Sequence, residues 1–275
     1  MKQNPTPIGV GCTLALRKVF SLVGWIFSCL ETLFKLWVWW VIMAKLARMM
    51  RFMVNDAIIS VNVMKILAEE IEGMINGAVE KIRKPGEVVY REIDIQIDED
   101  ICITEDIYSY KGIFSRHEEE TIDEYIYKIS QLGRRSAFLT IYGIFEYHLE
   151  ECCKEIIDIS KLPLGYNDLK GGTLEKINLV LSKVIFAEPS PNKAIIEHLK
   201  SIRNTMAHNN GKLRPSDGAQ RKALRAMQDI NNGLSLNEYN DINLGVDFLN
   251  FAINEFEIYY REIDNALNLY TSRNQ

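Results

Sequence analysis

Between Phe138 and Ile156, the residues Phe138, Ile141, Tyr142, Phe145, Leu149, Cys152 and Ile156 recur at three- and four-residue steps. That period places them on one broad helical face, too apolar to stand in water. Such a helix folds only if other elements cover it. Most of the remaining chain offers helices for that purpose. Residues 56–83 repeat Ile59, Val63, Ile66, Leu67, Ile71, Met74 and Ile75 at helical spacing, and Lys84-Pro85-Gly86 stops the run. Helical patterns follow over 121–159, with a break expected at Gly133, and over 173–186, 192–208, 218–230 and 246–270. The exception is 88–98, where Ile93, Ile95 and Ile97 alternate with polar residues, as in a half-exposed strand or extended arm. The fold class expected is therefore all-α, a helical bundle with a small β or extended element.

The first 55 residues have a different character. Lys2, Arg17, Lys18, Lys35, Lys45, Arg48 and Arg51 stand against the single acid Glu31, a net of +6, so the remaining residues carry −11 of the overall −5. Two apolar runs, 19–30 and 36–44, are separated by Glu31 and Lys35. A membrane-spanning helix needs about twenty continuous apolar residues, and these charges fall where its middle would be. No small-residue cleavage site follows, so a signal peptide is not expected either. All four tryptophans, Trp25, Trp37, Trp39 and Trp40, lie here beside basic residues. They suit a helix packed on the body or on another subunit, or one lying at a membrane surface. The expected organisation is a hydrophobic, basic N-terminal helical segment (1–55), a helix with an acidic extended arm (56–120), and the bundle (121–275).

At 47% hydrophobic and 25% charged residues, the chain falls in the ordinary globular range. The acidic body excludes a broad nucleic-acid groove, so contact with a polyanion has to be local. The five cysteines (Cys12, Cys29, Cys102, Cys152, Cys153) show neither a disulfide framework nor a zinc pattern. They read as reduced core residues, which points to the cytoplasm, with membrane association as the alternative raised by the N-terminus. The acids Glu118, Glu119, Glu120, Asp123 and Glu124 read as the solvated opening of a helix, favoured there by its dipole, and no metal or cofactor is expected. Lys170-Gly171-Gly172 is too short for a phosphate loop and reads as a turn.

One stretch gathers chemistry: Arg203-Asn204-Thr205-Met206-Ala207-His208, followed by Asn209-Asn210-Gly211-Lys212. Ile195, Leu199, Ile202 and Met206 form the expected buried side, and Asn209-Asn210-Gly211 is a left-handed helix stop. Asn204 and His208 are i,i+4 neighbours, with Cβ atoms about 5–6 Å apart. Arg203 lies about 140° from His208 on an ideal helix, so the two share no face. Their chemistry suits phosphodiester cleavage: a histidine titrating near neutrality moves protons, and an arginine fork holds a phosphate. No metal is required when the RNA 2′-hydroxyl is itself the nucleophile. The same residues also suit a helix C-terminus where His208 and Arg203 satisfy carbonyls or bridge to a neighbour.

Arg203-Asn204-x-x-x-His208 resembles the RNxxxH form of the HEPN superfamily signature. The segment from Gly133 to Leu149 is similar to the first long helix of those domains, and Asp168-Leu-Lys-Gly-Gly-Thr-Leu-Glu also fits that setting. The resemblance covers about 125–275. It implies a helical bundle that dimerises, or assembles further, bringing two motifs into one cleft. It also implies a metal-independent endoribonuclease of the toxin or antiviral-defence type, leaving 2′,3′-cyclic phosphate and 5′-hydroxyl ends. Arg203 would bind the scissile phosphate, Asn204 would be its polar partner and His208 would transfer protons. RNA and a restraining protein regulator are the partners implied.

Lys212, Arg214, Arg221 and Lys222 follow the motif and could guide a polyanion towards it. Arg134 and Arg135 read as opening the long helix, where positive charge is unfavourable; RNA contact or an ion pair with Glu146 would account for them. His148, on the flank of the apolar face, reads as a packed histidine. Two alternatives to the nuclease stay open. A non-catalytic HEPN-like module would keep Arg203 and His208 capped or paired, whereas a nuclease needs them exposed and convergent. A membrane-associated effector would act through residues 19–52.

Overall fold

The computed structural model describes residues 54–98, 101–160, 163–230 and 233–273. The expectations for the N-terminal segment, including Trp25, Trp37, Trp39 and Trp40, lie outside the described residues. Among the described residues there are six α-helices and two small antiparallel sheets, so the chain is mainly helical. In order these are α1 (54–82), β1 (Val89–Asp98), β2 (Ile101–Tyr110), β3 (Ile113–Ser115), α2 (Glu118–Ile159), α3 (Thr173–Lys183), α4 (Lys193–Asn209), α5 (Gly218–Gln228), β4 (Leu234–Leu236), β5 (Ile242–Leu244) and α6 (Phe248–Arg273).

The organising element is α2, 42 residues long, which at 1.5 Å per residue spans roughly 60 Å. Glu118, Glu119 and Glu120 occupy its first turn, where the dipole favours acids. Its second half buries Phe138, Ile141, Tyr142, Phe145 and Leu149. Opposite them, α6 supplies Phe248, Phe256, Tyr259 and Tyr260, with the Phe145 and Phe256 rings stacked at 4.1 Å. Both buried tyrosines satisfy their hydroxyls: Tyr260 Oη donates to the Phe145 carbonyl at 3.1 Å and Tyr259 Oη to Asn178 Oδ1 at 3.0 Å. Truncating one of these rings would cost about 3–5 kcal/mol. Cys152 and Cys153 pack into the same core, where burial pushes both thiols up to about 12 and keeps them protonated.

Gly133 does not break α2; the helix is continuous through it. A Cβ there would stand 3.2 Å from Ile75 Cδ1, so the glycine lets α1 approach closely. Part of the expected stripe of α1 holds, since Ile75 is buried and Leu67 and Ile71 pack on the core, but the buried side is centred elsewhere. Val54, Ala57, Val61, Met64, Ala68 and Ile75 face the core, whereas Ile59, Val63 and Ile66 are each more than half exposed. Both stripes are apolar at helical spacing, so periodicity could not choose between them. The choice follows from small residues that allow close contact and from polar pins on either side: Glu72 to Arg134 of α2 and Lys65 to Glu257 of α6. Placed by sequence ahead of the bundle, α1 shares the bundle's core.

The arm predicted at 88–98 is a strand and pairs with β2, which periodicity left unassigned; the sheet order is β1-β2-β3. A second small cluster, Ile82, Tyr110 and Tyr125, seats this sheet on the first half of α2. Two helices end earlier than predicted, α3 at Lys183 and α5 at Gln228. The β4–β5 hairpin is an addition, with strands too short for alternation to register.

One stability prediction follows from His148, which is partly buried on α2. Burial holds its imidazole below the ordinary value, outweighing the Asp56 and Glu151 carboxylates that act the other way. The unfolded chain therefore binds this proton first as pH falls, so stability is lost as pH drops below about 6.5 towards the folded-state value. Thermal midpoints measured from neutral to mildly acidic pH should fall less steeply in His148→Gln than in the wild type.

Candidate functional site

The motif occupies the last turns of α4. Ile196, Leu199, Ile202, Thr205 and Met206 are buried, holding the helix against α2 and α6. The expected buried side holds at Leu199, Ile202 and Met206, but Ile196 replaces Ile195 in the core. The helix stops where the sequence predicts. Asn210 takes a left-handed conformation (φ 51°), Gly211 follows at φ 80°, and both N–H groups turn back to the Thr205 carbonyl.

Arg203 projects towards α2. Its Nη2 donates to Glu146 Oε2 at 2.5 Å and its Nη1 to Asn204 Oδ1 at 2.9 Å. The guanidinium carbon lies 5.0 Å from the centre of the Tyr142 ring, within cation–π range. Burial, and then the Glu146 carboxylate, raise the Tyr142 hydroxyl pKa well above its ordinary value, so this residue serves as a neutral platform. Two of the five guanidinium N–H groups are used in these bonds, which leaves three for a ligand. The Arg203 side chain is 27% exposed, so solvent reaches it.

His208 lies one turn beyond Asn204 and is exposed. Among the described residues its ring has no hydrogen-bond or ion-pair partner. Arg203 and Asn204 are brought together, while His208 remains apart from the arginine, as its helical phase requires. Within one chain His208 is exposed, Arg203 is paired yet reached by solvent, and the two do not converge.

Arg134 and Arg135 require a correction. Because α2 starts at Glu118, they sit in its middle, and the dipole argument does not apply. Arg134 is buried, makes two bonds to the Glu72 carboxylate at 2.6 and 2.8 Å, and donates to the Leu244 carbonyl at 3.1 Å. Arg135 donates to the Asn210 carbonyl at 3.0 Å and to Ile242 O at 2.7 Å. These bonds commit the Arg134 guanidinium to the interior and tie the half-buried Arg135 to backbone carbonyls. They brace the turn that ends α4, next to His208.

Lys212 and Arg214 are exposed, as expected. Arg221 instead donates to the carbonyls of Leu213 and Arg214 and to Asn240 Oδ1, bracing the loop. Sequence reasoning did not assign Glu146 to Arg203. The available signal was a carboxylate four residues after Tyr142, at the edge of the aromatic face of α2. Among the described residues no helix is long and apolar enough to cross a membrane. No family model, curated protein or solved structure matches this chain.

The braced turn is testable. At φ 80°, with the Arg135 guanidinium carbon 3.0 Å from where a Cβ would stand, Gly211 has no room for a side chain. Gly211→Ala should destabilise the protein by about 1 kcal/mol or more, read as a lower urea midpoint.

Proposed function

We propose that the chain is a metal-independent endoribonuclease of the HEPN type, acting as an RNA-cleaving toxin or antiviral effector. The observation that carries this reading is the last part of α4. There a solvent-accessible guanidinium, held by Glu146, Asn204 and Tyr142, precedes an exposed histidine that has no partner among the described residues, in the RNxxxH spacing. In the reaction the RNA 2′-oxygen attacks phosphorus, losing its proton to an imidazole as the new P–O bond forms. The bond to the 5′-oxygen breaks, and that oxygen takes a proton from an imidazolium. The products are a 2′,3′-cyclic phosphate and a 5′-hydroxyl. Arg203 neutralises the charge gathering on the phosphate oxygens, and His208 carries the protons. Since Arg203 and His208 diverge on one helix, a second copy would complete the site, giving each phosphate an arginine and a histidine from different chains. Glu146 is a positioning residue that fixes the arginine.

A second reading, a non-catalytic assembly module, draws on one specific observation. The Arg203–Glu146 pair is what a purely structural contact between α4 and α2 would also require.

The two readings separate on mixed cellular and transfer RNA with EDTA present. The wild type should cut and leave cyclic phosphate ends, and Arg203→Ala and His208→Ala should each lose at least about 100-fold in rate while folding and assembling normally. Equal activity in all three proteins, or none in the wild type, would remove the nuclease reading. Glu146→Gln should change stability by less than about 1 kcal/mol, because both partners are partly exposed. Its cleavage rate should fall much further than that, which a merely structural pair would not cause.

A further inference from the structure

Beside the α4 motif, Lys200 pairs with Glu175 and Arg203 with Glu146. From Lys212 to Arg225, among the described residues, no cation has a carboxylate partner. Lys212, Arg214, Lys222 and Arg225 are all exposed, and among the described residues none has a side-chain hydrogen bond or ion pair. Asp217, the single acid in that stretch of sequence, accepts the backbone N–H of Arg214 at 2.8 Å. On α5, Ala223, Leu224 and Met227 are buried, and at 100° per residue Lys222 and Arg225 stand on the opposite side. Helix α5 packs against α4, and Lys212 follows His208 by four residues. Lys212 and Arg214 therefore follow directly from the end of the helix that carries the site, and Lys222 and Arg225 lie on the outer side of the helix packed against it. The β1–β2 arm has the opposite character, with Glu92, Asp94 and Asp106 exposed.

We propose that Lys212, Arg214, Lys222 and Arg225 form the track along which the phosphate backbone of single-stranded RNA reaches the α4 site; this rests on the nuclease reading. Four free cations on a short loop and one helical turn suit a flexible chain of phosphates, read through charge rather than base identity. An anionic membrane is the poorer fit. The outward face of α5 carries Gly218, Lys222 and Arg225, with no large apolar side chain to enter a bilayer.

The test uses the full chain carrying His208→Ala, so that binding is read independently of cleavage, with a fluorescein-labelled oligouridylate as probe. Four phosphate contacts predict a log–log salt slope near −3, and adding Lys222→Gln and Arg225→Gln should reduce its magnitude by about 1.4 and weaken low-salt binding about tenfold. The pair Lys81→Gln and Lys84→Gln, which removes the same charge from the end of α1, should leave both unchanged. In cleavage-competent protein the α5 changes should raise KM and leave kcat in place. An unchanged slope in the α5 variant, or equal weakening in the α1 control, would overturn the track even if the wild type cuts RNA. If the wild type fails to cut while the slope still responds, the track stands and the nuclease reading falls. Displacement of the oligouridylate by phosphatidylserine vesicles, lost in the α5 variant, would assign the surface to lipid instead.

Discussion

Three polar side chains on the inner flank of α2, Gln131, Arg134 and Arg135, bind backbone of the β4–β5 hairpin and of the turn that ends α4. Gln131 exchanges two hydrogen bonds with Leu244, giving β5 the partner an adjacent strand would supply. Arg134 adds a bond to the same carbonyl and reaches across to Glu72 on α1. Arg135 bonds Ile242 of β5 and the Asn210 carbonyl at the end of α4. An unsatisfied buried carbonyl costs roughly 1–3 kcal/mol, so each of these bonds restricts where a neighbouring segment can lie. The rotation of α1, the position of the β4–β5 hairpin and the end of α4 all depend on this one row.

The consequence for the site is rigidity where the motif helix ends. The left-handed turn at Asn210 and Gly211 is held from below by Arg135, and Ile242 N–H donates to the Gly211 carbonyl at 2.9 Å. His208 is thus mounted on a braced turn while its ring stays in solvent. Arg203 is held from another side by Glu146 and Tyr142, both on α2. The same long helix positions both ends of the motif. It does so without closing them on each other, because five residues of helix rotate the two side chains apart.

Charge is distributed with similar economy. An acidic body repels polyanions, and the cation nearest the motif's centre, Arg203, is paired with Glu146. On the reading proposed above, a nuclease on such a body needs local positive charge near its site, and Lys212, Arg214, Lys222 and Arg225 are the residues proposed to provide it.

Much of this was legible in the residues. The helical period gave every helix of the bundle, the alternation of Ile93, Ile95 and Ile97 gave β1, and Asn209-Asn210-Gly211 gave the end of α4. The motif was legible too, because its spacing is local. The face of α1 was legible only in part: Leu67, Ile71 and Ile75 pack inward as the period suggests, whereas Ile59, Val63 and Ile66 do not, and the Glu72–Arg134 and Lys65–Glu257 pairs fix the rotation. The roles of Arg134 and Arg135 were hidden for a related reason: their acceptors are backbone carbonyls more than seventy residues away, and a carbonyl leaves no trace in sequence. Sequence by itself determined which segments are helical and where Arg203, Asn204 and His208 fall on one of them, because period, capping and side-chain type are local properties. Tertiary structure decided which side of α1 is buried, which arginines are free and what holds Arg203, because those depend on contacts between segments distant in the chain.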